Sequence, residues 1–299
     1  MKFGKLEDIT EIRFELPEDH PDTHKILVEA ARNTDIRMGG TMWNIPAWVG
    51  KWYPSGTRSA GFLRSYAQLF PTIELNATHY RTPTVETIRK WADETPESFL
   101  FCPKWPQGIT HYRRFRNCEA ATDQFLEAVH AFGSRLGPCF IQLPSQIGPS
   151  AAPALMDYLL VLPEDLHVAV EFRHPDWFTG EHSAAEEIWH LMAERAVTSV
   201  ISDTAGRRDA VHMRLTSQHA IVRFGGNALH ASDYRRLDDW ASRVADWSAR
   251  GLQSFHLWMH QPDSLLSPDT CVLFADAWHR ATGRSAVRPV RPDHATLFG

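Results

Sequence analysis

Six ionisable side chains stand where apolar, β-branched runs stop. Glu74 follows Thr72-Ile73, Lys104 follows Phe101-Cys102-Pro103, Glu171 and Arg173 end Val168-Ala169-Val170, Asp203 follows Val200-Ile201-Ser202, and Arg223 sits inside Ile221-Val222-Arg223-Phe224. A charge among apolar residues is costly to bury unless another charge meets it, so charges at successive strand ends are expected to find one another. Such a set suits acid/base chemistry, because opposite neighbours and partial burial move pKa values apart. Glu171, Asp203 and Glu74 are therefore the candidate acid/base or orienting groups, and Lys104, Arg173 and Arg223 the candidate holders of an anion. The same six residues would also serve as a structural ring of salt bridges.

Further polar and aromatic residues leave the same strand candidates: Trp43, Asn76, Tyr80, His111, Gln142, His174, Trp177 and His260. They are read as substrate-binding. Trp43, with Trp48, Trp52 and Tyr53 in the same loop, either walls a site or packs as a lid. His174, before Pro175, also reads as a turn histidine bonded to backbone. In Ile73-Glu74-Leu75 and Val170-Glu171-Phe172 the acid alternates with apolar neighbours and faces away from them. Carboxylates and imidazoles are metal-ligand types, but no HxH or HExxH pair occurs, and Lys104 and Arg173 would compete with a cation. No metal ligand is assigned, and no nicotinamide or flavin fingerprint predicts a cofactor; a divalent metal belongs to the alternative reading.

These residues need elements to carry them. Strands are predicted over Ile36 to Gly40, Thr72 to Asn76, Phe99 to Pro103, Cys139 to Leu143, His167 to Glu171, Thr198 to Ser202, Ala220 to Phe224 and Ser254 to Met259. Helical spacing follows nearly every one, as in Phe62, Leu63, Tyr66 and Leu69, or in the segment from Thr84, an N-cap, to Glu94. The sixth strand is followed by an irregular piece with at most one short helix. Eight strand and helix units in about 250 residues predict a single TIM-type (β/α)8 barrel, whose sites lie at the carboxyl ends of the strands. No Gly-rich phosphate loop supports an open doubly wound sheet. Residues 1–35, with a helix from Thr23 to about Asn33, form an N-terminal extension, residues 36–285 the barrel and residues 286–299 a Pro-rich tail.

A net charge of -5 argues against general nucleic-acid binding. The run His111-Tyr112-Arg113-Arg114-Phe115-Arg116 is the one dense basic segment, either an anion site or a solvated loop. The four cysteines, Cys102, Cys118, Cys139 and Cys271, have no zinc-like spacing and read as reduced thiols. No apolar leader or membrane-length stretch is present, so a cytoplasmic location is expected. The sequence carries no signal for an oligomeric state.

In order along the chain, several blocks resemble the YecE-like family, domain of unknown function 72. They are Gly40-Thr41-Met42-Trp43 through Tyr53-Pro54, Ile73-Glu74-Leu75-Asn76 through Tyr80, Phe101-Cys102-Pro103-Lys104-Trp105-Pro106, and Gln142-Leu143-Pro144. Val170-Glu171-Phe172-Arg173-His174-Pro175-Asp176-Trp177-Phe178, Ser202-Asp203-Thr204, Val222-Arg223-Phe224-Gly225 and Trp258-Met259-His260-Gln261-Pro262-Asp263 continue the likeness. The resemblance implies a TIM-type barrel and no established activity. Two departures stand out: Met42-Trp43-Asn44 replaces a Ser-Gly-Trp-like turn, and His260-Gln261-Pro262 replaces paired asparagines.

The function expected from the residues is hydrolysis or lyase chemistry on a small phosphate- or carboxylate-bearing substrate. The alternatives are a metal-dependent phosphoesterase or nuclease at Glu171, Asp203 and His260, and a nucleic-acid or ligand-binding module using the aromatic rim with Arg113, Arg114 and Arg116.

Overall fold

A computed structural model describes residues 3–28 and 33–292. All eight predicted strands form: β1 Asp35–Gly39, β2 Thr72–Leu75, β3 Leu100–Pro103, β4 Cys139–Gln142, β5 Val168–Glu171, β6 Thr198–Asp203, β7 His219–Gly225 and β8 Ser254–His260. The helices are α1 Pro21–Ile26, α2 Phe62–Leu69, α3 Ala77–Tyr80, α4 Val85–Asp93, α5 Glu119–His130, α6 Ala152–Leu160, α7 Ser183–Glu194, α8 Ala231–Ala249 and α9 Ser267–Thr282. Helix α1 is shorter than expected, and residues 29–32 of the predicted helix lie outside the described residues. Thr84 caps α4 as its hydroxyl suggests, accepting from the Thr87 N–H at 3.3 Å. Helix α9 ends at Gly283, whose φ of 70° closes the last turn through a bond to the His279 carbonyl. The sequence did not predict α3 or the π-helical turn Gly108–Arg113.

The strands are parallel and make two sheets. Six run in the order β1-β8-β7-β6-β5-β4, and β2 pairs with β3. One backbone bond spans the first gap between sheets and two span the second. The Glu74 N–H reaches the Gly40 carbonyl at 3.1 Å, and the Gly137 and Trp105 N–H groups reach Phe101 and Phe140 carbonyls at 2.8 and 2.9 Å. At the first gap β1 passes so close to β2 that a Cβ on Gly39 would lie 2.1 Å from the Thr72 carbonyl oxygen. Only glycine allows that approach.

Strands buried on both faces carry two kinds of core. Their helix-facing residues merge with α2 and α4 to α9 in one large apolar cluster. On the opposite face Cys102, Phe140, Ala169, Val200, Ile221 and Trp258 form a small cluster of their own. Below it, at the strand starts, polar residues bond to one another: His167 with Thr198 at 2.9 Å, His219 with Ser254 at 2.8 Å, and Cys102 near His256. Burial holds His167 as a neutral imidazole, its pKa lowered to about 4, with nearby His219 adding to the shift. Above the small cluster lie the strand-end charges.

All four cysteines are free and buried, and among the described residues no helix is long and apolar enough to cross a membrane.

Two outcomes are expected. Gly39→Ala forces β1 from β2 and destabilises the protein by roughly 3 kcal/mol, measured by denaturant unfolding. His167 is neutral when folded and gains a proton more readily when unfolded, so its contribution is complete above pH 6.5 and is lost as pH falls toward 4. The melting temperature therefore drops over that window, and His167→Gln makes the drop shallower.

Candidate functional site

Every second residue of a strand faces the same way. Glu74, Glu171, Ser202 and Arg223 thus stand above the small inner cluster, and Lys104 and Gln142 join them from β3 and β4. Arg223 lies at the centre. It donates through Nε to Glu74 Oε2 at 2.9 Å, through one terminal nitrogen to Glu74 Oε1 at 2.7 Å, and through the other to Glu171 Oε2 at 2.7 Å. The chain of charges continues from Glu171 Oε1, which accepts from Arg173 Nε at 2.8 Å and Ser202 Oγ at 2.5 Å. Glu74 also accepts from Asn76 Nδ2 at 2.8 Å and lies 2.7 Å from His260 Nε2. Both carboxylates are fully buried. Each buried ion loses several kcal/mol of hydration, which this alternating order offsets.

The electrostatics follow from the contacts. Burial alone would raise Glu74 and Glu171, but Arg223, with His260 beside Glu74 and Arg173 beside Glu171, outweighs it. Glu74 is held well below the usual carboxylate range and Glu171 falls to about 2. Burial, assisted by Arg223, outweighs the pull of Glu74 on His260 and lowers its pKa to about 4, so His260 donates as a neutral imidazole.

Lys104 is different. Its Nζ donates to Gln142 Oε1 at 2.7 Å, and among the described residues no carboxylate pairs with it. Burial and the nearby Arg223 lower it to about 8. His79 and His111, with ring centres 5.0 Å apart, are lowered to about 4 by burial and by Lys104. His79 Nδ1 bonds to the Trp105 carbonyl and His111 Nδ1 to Thr110 Oγ1, both at 2.7 Å.

Several expected site residues stand elsewhere. Asp203 alternates with Ser202 and points toward α8, held by Arg236 and the Trp240 indole of that helix and by Arg208 from the turn after β6. Burial is outweighed by Arg236 and Arg208, and its pKa is lowered. Its grouping with Glu74 and Glu171 is thereby corrected. The metal set Glu171, Asp203 and His260 is divided between two faces, and among the described residues no cluster of three or more His, Cys, Asp or Glu side chains is arranged to hold a metal ion.

Trp177 is corrected from a binding residue to core: it stacks on Phe172 at 4.4 Å and donates to the Ile147 carbonyl at 2.9 Å. Trp43 packs edge-on against Trp91 at 5.2 Å, and Trp48, Trp52 and Tyr53 are buried in the main core, so the first loop is a packed lid. His174 accepts from the Asp176 N–H at 3.2 Å, the turn role open to it. Tyr80 is 74% exposed. In the basic run, Arg113 ties back to the Asn117 carbonyl, while Tyr112, Arg114 and Arg116 are exposed.

Ser202, His79 and the N-terminal segment were missed. Strand parity beside Val200 was the available signal for Ser202. The N-terminal segment had none, because its contacts are long-range. Phe3 lies over Arg173 at 4.5 Å and over Arg207 at 4.9 Å, and the Gly4 carbonyl accepts from the Gly206 N–H at 2.8 Å. Phe14 lies against Arg208 and Arg236, and Asp19 takes Arg243 and the Trp247 indole beside α8. Residues 3–9 thus line an open cleft of about 280 Å³ at the strand ends, together with Thr204, Gly226, His230 and His260.

Fold and geometry define an α/β protein with parallel strands and a buried, mixed-charge cluster at their carboxyl ends. The chain belongs to the family described as protein of unknown function DUF72, which matches residues 37–295. It is 28% identical to UPF0759 protein YecE of Escherichia coli (strain K12) over 282 residues, covering 88% of this chain and 100% of the relative. It is 30% identical to UPF0759 protein YunF of Bacillus subtilis (strain 168) over 184 residues, covering 58% and 65%. Two crystal structures of a DUF72 family protein from Enterococcus faecalis V583 share the fold, with TM-scores of 0.62 and 0.61 at 16% and 17% identity. Each alignment covers 85% of this chain and 99% or 98% of the other.

Removing one partner of a buried ion network leaves the others uncompensated. Arg223→Met is expected to destabilise the protein by about 3–5 kcal/mol, measured by denaturant unfolding. Adding Glu74→Gln to that variant recovers part of the loss, because Glu74 then carries no charge and Glu171 keeps Arg173 as its partner.

Proposed function

We propose that this protein is an enzyme that binds a small carboxylate- or phosphate-bearing substrate where eight strands, closed into one barrel, deliver their carboxyl ends, and that it carries out hydrolysis or lyase chemistry there. The observation that carries this reading is the charge balance of the strand-end cluster. Among the described residues, Arg223, Arg173 and Lys104 face two ionised carboxylates, Glu74 and Glu171, and Lys104 has a neutral amide for its partner. A positive excess in a place with little water attracts an anion strongly. The backbone bonds that join β1 to β2 and β3 to β4 support the closed ring.

The roles shift within the cluster. Glu74 and Glu171 stay ionised at neutral pH, so they orient Arg223 and Arg173 instead of exchanging protons with substrate. Lys104 titrates nearest to neutrality and is the acid/base group of this reading. The metal-dependent alternative loses support because Asp203 serves the opposite face.

Calorimetry with inorganic phosphate and with oxalate, and with uncharged glycerol as control, tests the binding. Binding of at least one anion is expected, with Lys104→Gln weakening it by about tenfold or more. Lys104 is charged below its pKa, so affinity falls as pH rises through about 8. Equal binding by Lys104→Gln overturns the reading.

A further inference from the structure

We propose that the Lys104 amine is a covalent nucleophile and that the substrate is a small carbonyl compound carrying a carboxylate, of the 2-oxo acid class. This rests on the anion-binding reading above and goes beyond it by assigning a bond-forming step. Three features of the geometry carry it. Lys104 leaves β3 into the charged cluster, and its Nζ is fixed by Gln142 Oε1 at 2.7 Å. Arg223 engages both Glu74 and Glu171, and Arg173 engages Glu171, whereas among the described residues no carboxylate pairs with Lys104. An amide oxygen accepts a hydrogen bond from an ammonium and from a neutral amine alike, so Gln142 keeps Nζ in place after it loses its proton. A desolvated lysine beside other cations is the arrangement that exposes an amine lone pair near neutral pH. The lowered pKa of about 8 agrees with this geometry.

In the step, the Nζ lone pair attacks the carbonyl carbon and forms a C–N bond, while the carbonyl π pair moves to oxygen. A proton passes from nitrogen to that oxygen and gives a carbinolamine. A second proton, delivered to the hydroxyl, lets the C–O bond break and water leave, and a protonated imine remains on Nζ. One amine, one carbonyl and one proton thus become one iminium and one water, with no change of oxidation state. The iminium carries the same single positive charge as the lysine ammonium, so Glu74 and Glu171 face an unchanged balance. An electron-withdrawing iminium is what carbon–carbon or carbon–heteroatom cleavage next to a carbonyl requires, which joins this step to the lyase branch of the proposed function. His79, buried, and His111, half-buried, are neutral imidazoles near Lys104 and are suited to relay the protons.

Trapping tests the step. The full-length protein is incubated with pyruvate or glyoxylate and cyanoborohydride, which reduces an imine to a stable amine, and is then mapped by peptide mass spectrometry. Lys104 is expected to acquire the reduced adduct on the order of tenfold faster than exposed Lys51 and Lys90 in the same molecules. The rate should rise with pH through about 8, and Lys104→Arg should abolish the fast adduct. Labelling of Lys104 no faster than Lys51 and Lys90 overturns the proposal without need of a variant. Oxalate, which binds as an anion and forms no imine under these conditions, separates the two readings. Oxalate binding without trapping sinks the covalent step alone, and absence of both sinks the anion site as well.

Discussion

One guanidinium sets the terms for the strand-end cluster. Arg223 lies on β7 with an acid on either side, Glu74 on β2 and Glu171 on β5, and it bonds to both at once. Each carboxylate is fully buried and would be intolerable without it. Arg173, Ser202, Asn76 and His260 then fill the remaining carboxylate positions, so the order spreads outward from Arg223 to five strands. The Phe140 ring, 5.5 Å from the guanidinium, belongs to the inner apolar cluster that keeps this network apart from the histidines at the strand starts. The arrangement is rigid, because moving any of these side chains strands a charge in a medium that solvates it poorly.

Strand parity divides the charged residues into two systems. Glu74, Glu171 and Arg223 face one side, and Asp203, one residue beyond Ser202, faces the other. There it anchors Arg236 and Arg208 between β6, α8 and the N-terminal segment, with Phe14 lying against both guanidiniums. Asp203 therefore ties that segment to the fold. Through Phe3, the same segment reaches Arg173 and the other system. A stability network and the rim of the candidate site meet on one piece of chain.

Membership of DUF72 and the shared fold of its solved relative speak to architecture. The proposed chemistry rests on the residues themselves. The strongest local asymmetry is that Lys104, unlike both arginines, has an uncharged partner. That asymmetry, and not the presence of carboxylates at strand ends, is what the proposed chemistry rests on.

The eight strands and nearly all the helices between them were legible in the sequence, because apolar runs, helical spacing and caps such as Thr84 are local signals. The clustering of Glu74, Lys104, Glu171, Arg173 and Arg223 was legible too, since buried charges at strand ends must be matched by one another. The sequence alone did not decide which face Asp203 takes, since polar Ser202 and Asp203 are consecutive and alternation separates them without telling which face of β6 is the inner one. Nor did it decide whether Trp177 and the first-loop tryptophans line a site or a core, because an indole suits both until its neighbours are known. Contacts such as Phe3 on Arg173 or Arg223 on Glu74 join residues far apart in the chain, so composition and spacing determined which groups needed partners and tertiary packing decided which partners they found.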